Sequence, residues 1–152
     1  MRNYVLERTQ VVECSLAEAF EFFSDAYNLE KITPSFLKFR IFTPRPIEMK
    51  AGTLIDYRLS IFGVPFHWQT LIEKWEEGRC FVDSQVKGPY TLWCHTHLFE
   101  EIGPNITLVR DYVEYRVPYG LFGRLVHTIL IKRMLKQIFD FRADAIARIL
   151  KQ

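Results

Sequence analysis

Residues 90–117 read YTLWCHTHLFEEIGPNITLVRDYVEYRV, and this stretch decides which fold the sequence predicts. Apolar and polar side chains alternate on both sides of the turn-forming triplet Gly103-Pro104-Asn105, a pattern typical of two β-strands joined by a tight turn. We therefore predict an antiparallel hairpin with strands at 90–101 and 105–117. A turn centred near Pro104 sets four pairs of residues opposite one another: Phe99 and Val109, His97 and Asp111, His95 and Val113, and Trp93 and Tyr115.

Further strand-like segments precede this hairpin along the chain. They contain β-branched and aromatic residues, and short turn-forming sequences such as Gly63-Val64-Pro65 and Glu76-Glu77-Gly78 separate them. Because short connections join strands that run in opposite directions, these segments predict an antiparallel meander. The predicted strands are 3–13, 36–43, 53–62, 66–75 and 80–87.

A helical pattern replaces the strand pattern after Pro118. Between Leu121 and Leu150 apolar residues recur mostly at steps of three and four, which predicts an amphipathic helix of about 45 Å. Arg142 interrupts this apolar stripe, and His127 is expected to face solvent. The stripe that we expect to pack on the sheet comprises Phe122, Leu125, Val126, Ile129, Leu130, Leu135, Ile138, Phe139, Ala145, Ile146 and Ile149.

Two short helices are expected after the first strand. Ser15 and Glu18 have the spacing of a capping box, and Asp25 can cap a second helix that cannot continue through Pro34. The predicted order is therefore one strand, two short helices, six strands and one long helix. This order predicts an α+β fold, a single domain over residues 1–152, in which a curved antiparallel sheet of about seven strands wraps around the C-terminal helix.

Charge and composition narrow the classes of function. The chain carries 20 basic and 18 acidic residues, a balance that argues against binding of nucleic acid. No apolar run approaches the roughly 20 residues of a transmembrane segment. Three cysteines without a CxxC pair, Cys14, Cys80 and Cys94, predict reduced thiols and a cytoplasmic location. The 13 Phe, 7 Tyr and 3 Trp residues can fill a core or line a pocket for flat, oily ligands.

Two segments of the chain resemble a known family. They read GPYTLWCHTHLFE at 88–100 and DYVEYRVP at 111–118, and they are similar to a polyketide cyclase/dehydrase-like subgroup of the START-like (SRPBCC) superfamily. Through the order of its elements the resemblance extends over essentially the whole chain. It implies the helix-grip fold, with a cavity between the sheet and the C-terminal helix that binds lipids, polyketides or isoprenoid-like molecules.

His95, His97 and Asp111 are the candidate catalytic residues, because strand alternation directs all three to the face assigned to the core. An imidazole held by a carboxylate keeps one tautomer and titrates near neutral pH, as acid–base catalysis of cyclisation or dehydration requires. The alternative is a buried polar pair that only fixes the strand register. The same residues have the donor types of a metal site, but spacing alone supports it, so neither metal nor cofactor is predicted.

Binding of a hydrophobic small molecule in the cavity is the favoured function. Because no nucleophile, phosphate-loop or dinucleotide motif is present, binding is preferred to its two alternatives, which are a cyclase or dehydratase-type enzyme and a module that docks a protein or a membrane. Lys132, Arg133 and Lys136 are interpreted as a solvated helix face, which leaves a peripheral membrane contact and the oligomeric state open. The candidate ligand-binding residues are Trp68, Asp83, Gln85, Tyr90, Trp93, Phe99, Val113, Tyr115, Phe122 and Val126.

Overall fold

A curved sheet of seven strands forms the frame of the protein in the computed structural model, which describes residues 2–151. The strands are β1 (Tyr4–Val12), β2 (Arg40–Ile41), β3 (Leu54–Ile61), β4 (Val64–Glu76), β5 (Cys80–Lys87), β6 (Leu92–Gly103) and β7 (Ile106–Arg116). They lie in the order β1-β7-β6-β5-β4-β3-β2, and all neighbours are antiparallel. The meander is therefore confirmed, and β1 lies beside the last strand.

The hairpin of β6 and β7 has the predicted register. All four predicted pairs are present: Phe99 and Val109, His97 and Asp111, His95 and Val113, and Trp93 and Tyr115. Asn105 in the connecting turn has a φ of 53°, a left-handed conformation that asparagine tolerates. The strand faces that alternation assigned to the core are consequently the buried ones, since the odd-numbered positions of both strands point inward.

The prediction of a strand over 36–43 is wrong in its extent. Residues Ser35–Leu37 form a 3₁₀ turn, and only the two residues of β2 pair with β3. Lys38 lies between the two elements with a φ of 49°, in a left-handed conformation that interrupts a strand. The turn before β4 also differs from the prediction, because its residues with positive φ are Phe62 and Gly63. Positive φ at both central residues is the pattern of a type I′ hairpin turn.

The short helices lie where the sequence predicts them. Helix α1 (Leu16–Ser24) begins at a capping box, in which the Glu18 backbone N–H donates to Oγ of Ser15 over 3.1 Å. The backbone N–H of Ser15 donates in return to the Glu18 carboxylate, also over 3.1 Å. A 3₁₀ helix (Ala26–Glu30) follows with Asp25 as its cap. These reciprocal bonds satisfy backbone donors that have no partner inside the helix.

A π-helical turn interrupts the long C-terminal helix. Helix α2 (Gly120–Val126) leads into this turn (His127–Ile131), and helix α3 (Lys132–Ile149) continues from it. A π turn holds one residue more than an α-helical turn, so it offsets α2 from α3 by about 100° around the axis. One apolar stripe therefore does not run along both helices.

Helix α3 packs on the concave face of the sheet, as the sequence predicts. Its buried residues are Met134, Leu135, Ile138, Phe139, Ala145 and Ile146. The prediction is wrong for the preceding turns, because Phe122, Leu125, Ile129 and Leu130 are exposed. No helix within residues 2–151 is both long enough and apolar enough to cross a membrane.

Gly123 and His127 hold α2 against the rest of the chain. A Cβ atom at Gly123 would lie 1.8 Å from the carbonyl oxygen of Pro118, so the close approach requires glycine. The prediction that His127 faces solvent is wrong, because its ring stacks on Tyr4 with ring centres 3.5 Å apart. Nε2 of His127 also forms a hydrogen bond of 2.7 Å with the Tyr115 hydroxyl. The helix therefore buries a polar face here and turns its apolar face outward.

Candidate functional site

A cavity of about 140 Å³ lies between the concave face of the sheet and α3. Its walls are mostly aromatic and aliphatic side chains, including Tyr57, Trp68, Trp93 and Phe139. Two polar groups of these walls have a partner within the protein, since the Tyr57 hydroxyl and the Trp68 indole both contact Oγ1 of Thr70, at 2.6 and 3.0 Å. An apolar cavity of roughly 150 Å³ is large enough for a benzene-sized molecule.

Two aspartates and two histidines form a buried polar cluster beside this cavity. They come from three adjacent strands, with Asp83 on β5, His95 and His97 on β6, and Asp111 on β7. Nε2 of His95 lies 2.7 Å from Oδ1 of Asp111, and Nε2 of His97 lies 2.6 Å from Oδ2 of Asp83. Each histidine therefore has its own carboxylate, held on a neighbouring strand.

The two histidine rings lie against each other. Because His95 and His97 are two residues apart on one strand, their side chains leave the same face of the sheet. Their ring centres are 3.7 Å apart, and Phe81 stacks on the other side of His97 at 4.1 Å. Both imidazoles are buried, with 4% and 5% of their surface exposed. Two imidazoles this close repel each other when both are protonated, so the pair favours a state in which only one of them carries a positive charge.

The pKa values of the two imidazoles are shifted in opposite directions within the cluster. Burial lowers the pKa of His97, but the carboxylates of Asp111 and Asp83 outweigh burial and raise this pKa above its ordinary value. Burial and the charge of His97 lower the pKa of His95 despite its bond to Asp111. Both aspartates have lowered pKa values, because their bonds to the histidines outweigh burial. The cluster therefore favours the imidazolium form at His97 and the neutral form at His95.

We predict that the two histidines titrate in separate steps in an NMR titration, His95 below and His97 above the ordinary value of a histidine. Asp83→Asn is expected to move the His97 step to lower pH, because it removes one of the two carboxylates that favour the imidazolium. Asp56→Asn is the matched control, since it removes the carboxylate 2.8 Å from the surface residue His67. A single common step for His95 and His97 would contradict the assignment.

Arg142 brings a further charge to the cavity from α3. Its guanidinium lies 4.9 Å from the centre of the Phe139 ring, and among residues 2–151 it has no carboxylate within ion-pair distance. Its Nε is buried without a hydrogen-bond partner, and burial lowers its pKa. The sequence analysis did not propose Arg142 as a site residue. Its interruption of the apolar stripe was the available signal.

The part of the chain that the structure describes contains two buried side-chain nitrogens without a hydrogen-bond partner, Nε of Arg142 and Nδ1 of His97. Nδ1 of His97 lies 3.3 Å from Oδ1 of Asp111, but their alignment does not form a hydrogen bond. Both residues line the cavity. A ligand in this chamber would therefore lie beside both side chains.

The predicted site residues fall into three groups. Six of them line the cavity: Trp68, Asp83, Tyr90, Trp93, His95 and His97. Asp111 reaches the site through His95, whereas Gln85 fixes the backbone of Tyr90 with bonds of 2.7 and 3.0 Å. The remaining residues lie outside the cavity lining: Phe99, Val113 and Tyr115 are buried in the core, Val126 is half-buried, and Phe122 is exposed on α2.

Asp83, His95 and His97 also have the composition of a metal site. One donor atom from each lies within 4.8 Å of the others, and a carboxylate with two imidazoles can ligate zinc or iron. The guanidinium of Arg142 in the same cavity opposes a further cation. When His97 is protonated, its imidazolium and this guanidinium balance the charges of Asp83 and Asp111, and the cluster is then neutral with these residues alone.

No protein-family model and no curated protein sequence matches the chain. Solved structures match it over nearly its whole length. The Zhui aromatase/cyclase from Streptomyces sp. R1128 has a TM-score of 0.74 at 13% identity, covering 96% of this chain and 92% of the other. A START superfamily protein from Mycobacterium smegmatis has a TM-score of 0.69 at 16% identity, covering 96% of both chains.

Norcoclaurine synthase from Thalictrum flavum, solved in complex with dopamine and hydroxybenzaldehyde, is also similar. Its TM-score is 0.68 at 15% identity, and the match covers 97% of this chain and 86% of the other. At these identities the likeness shows the fold, which is the START-like helix-grip fold that the resemblance implied. The cavity lies between the sheet and the C-terminal helix, as expected, but the short helices also line it through Phe23, Ala26 and Leu29.

Proposed function

Starting from the START-like helix-grip fold of this chain, we propose that it binds one hydrophobic small molecule, of a lipid, polyketide or isoprenoid-like kind, between the sheet and α3. The observation that carries this proposal is the pairing of apolar walls with the two unpartnered nitrogens, Nδ1 of His97 and Nε of Arg142. Such a chamber favours a ligand that is mostly apolar and carries one oxygen acceptor. The volume of about 140 Å³ favours a compact ligand or a single ring of a larger one.

The unpartnered donors determine which ligands bind well. A buried donor without an acceptor costs about 1–3 kcal/mol, and more for a charged group. A ligand oxygen that accepts from Arg142 and His97 removes this cost, whereas a pure hydrocarbon does not. Arginine suits this task because its planar guanidinium presents several donors in a fixed arrangement.

Substitution of Arg142 by methionine tests the proposal. We expect freshly purified wild-type protein, exposed to a cell lipid extract, to retain a stoichiometric companion that native mass spectrometry detects and denaturation releases. Arg142→Met is expected to weaken retention at least about tenfold, because it removes the charged donor and keeps an apolar chain of similar length. Quenching of Trp68 and Trp93, which line the cavity, measures the affinity in solution.

Arg148→Met is the matched control, since Arg148 is exposed on the same helix. This variant should bind as the wild type does. A clean mass of the protein alone after exposure to the extract would contradict binding in the cavity. Equal retention by Arg142→Met and the wild type would instead contradict the role of the guanidinium.

Acid–base catalysis is a second candidate function, and the contrast between His95 and His97 favours it. Nε2–H of His95 donates to Asp111, so Nδ1 is the basic nitrogen of this neutral ring. It would take a proton from a carbon beside a ligand carbonyl, while the imidazolium of His97 would give a proton to the oxygen. This is the chemistry of an aldol cyclisation or a dehydration. An Asp111→Ala variant that retains ligand but loses turnover would support catalysis over carriage.

We also propose that residues 1–152 act as one ligand-binding domain in the cytoplasm. The unpaired thiols of Cys14, Cys80 and Cys94 support a reducing compartment. Burial raises the pKa of all three thiols, which favours their unreactive protonated form. None of the three lines the cavity, so the proposed chemistry does not use them.

A further inference from the structure

The outward side of α2 and of the π turn carries a continuous apolar surface. Five large apolar side chains on it are between 45% and 77% exposed. Residues four apart lie on one side of a helix, so these side chains form a single patch instead of scattered contacts. We call this patch the outer face, and it comprises Leu121, Phe122, Leu125, Ile129 and Leu130.

The chain cannot bury this face by rotating the helix. Gly123 and His127 occupy the opposite side, where the Gly123 backbone approaches Pro118 and the His127 ring stacks on Tyr4. A rotation that buried Leu125 would place larger side chains where only glycine fits. The outer face is therefore a fixed part of the folded surface, and its apolar area is open to a partner.

The charges around the outer face have one sign. From Tyr115 to Phe139 the sequence contains five basic residues and no aspartate or glutamate. Of these, Arg124, Lys132 and Arg133 are exposed, whereas Lys136 is paired with Asp140 at 2.7 Å. The charged groups that act on His127 are also both cations, Lys132 and Arg2. A partner that covers the outer face therefore has to be negatively charged.

We propose that the outer face docks the protein on the surface of an anionic lipid bilayer. In this arrangement α2 lies along the interface, with its apolar side chains at the boundary of the acyl chains and its cations at the headgroups. A second copy of the chain fits less well, because a symmetric contact would bring the same cations against one another. This surface lies outside the cavity, so the proposal stands independently of the proposed ligand.

Co-sedimentation with lipid vesicles measures this docking. The wild type is expected to bind vesicles made of equal parts phosphatidylglycerol and phosphatidylcholine, and to bind phosphatidylcholine vesicles much more weakly. The triple variant Phe122→Ser/Leu125→Ser/Ile129→Ser should lower the partition coefficient at least about a hundredfold, because three side chains no longer leave water. Lys132→Gln/Arg133→Gln should lower binding to the anionic vesicles about twentyfold.

The matched control removes three exposed valines elsewhere, Val5→Ser/Val11→Ser/Val86→Ser, and should bind vesicles as the wild type does. Circular dichroism establishes that each variant is folded. Failure of the wild type to sediment with anionic vesicles would overturn the proposal, and so would equal binding by the Phe122 triple variant. A dimer in sedimentation velocity that this variant dissociates would assign the outer face to a second copy instead.

Discussion

Gly123→Ala is expected to lower the free energy of unfolding by about 3 kcal/mol or more, one of the two largest losses that we predict for a single substitution. In an ordinary helix the same change stabilises by up to about 1 kcal/mol, because alanine is the better helix former. Here the added Cβ would lie 1.8 Å from the carbonyl oxygen of Pro118, and that backbone atom cannot move aside as a flexible side chain can. The steric clash therefore outweighs the gain in helix propensity, and the substitution lowers the free energy of unfolding.

Urea unfolding measures the loss, and hydrogen exchange shows whether α2 separates from the sheet. The matched control is Gly103→Ala, whose Cβ would lie at an ordinary contact distance of 3.5 Å from Ile106 and whose effect should be small. If α2 separates, the bond between His127 and Tyr115 breaks with it, and the amides of residues 123–131 lose protection. Unfolding of Gly123→Ala at the urea concentration of the wild type would contradict the structure here.

Asp111→Ala is the second large effect, with an expected loss of about 3–5 kcal/mol at neutral pH. The substitution leaves the imidazolium of His97 with one carboxylate and the Nε2–H of His95 with no acceptor. Asp111 is well enclosed, with 16% of its side chain exposed, so water does not replace the lost bonds easily. Asp56→Ala removes the exposed partner of His67 and should cost no more than about 1 kcal/mol.

The pH dependence of this loss follows from the lowered pKa of Asp111 in the folded state. A carboxyl whose pKa falls on folding stabilises the fold above its unfolded pKa and loses that contribution as the pH drops through the folded value. The difference between wild type and Asp111→Ala should therefore be largest near neutral pH and shrink under acid conditions. Urea unfolding at several pH values measures it, and a constant difference would contradict the ionised state of Asp111.

The hairpin of β6 and β7 could be predicted in full because a tight turn fixes every pair that follows from it. The hydrogen bonds between the side chains of the site could not be predicted from this register. His97 lies opposite Asp111 in the register, but its Nε2 bonds to Asp83, and Asp111 takes the bond of His95 instead. Both are diagonal contacts, which depend on side-chain direction and on the twist of the sheet more than on residue spacing.

Two other features of the structure, the position of Arg142 and the π turn, were also missed by the prediction. Arg142 enters the cavity because of the way in which α3 lies on the sheet, and its place within the apolar stripe was the sign of this in the sequence. The π turn is marked in the apolar periodicity only by a step of five residues, from Leu130 to Leu135, in a stripe that otherwise advances mostly by three or four. The prediction therefore treated α2 and α3 as one regular helix with a single apolar stripe, and it assigned the residues of the outer face to the core.

The π turn also bears on how this protein can change during evolution. Of the long C-terminal helix, the residues that line the cavity all lie in α3 (Met134, Leu135, Ile138, Phe139 and Arg142), and those of the outer face all precede it. Substitutions in the outer face can thus change what the surface binds without changing which ligand the cavity accepts, although both sets of residues lie along one continuous helix. A single-residue deletion within the turn would undo this separation, because it would rotate α2 by about 100° and carry a different set of side chains outward. Among descendants of this chain, the length of residues 127–131 should vary less than their identity.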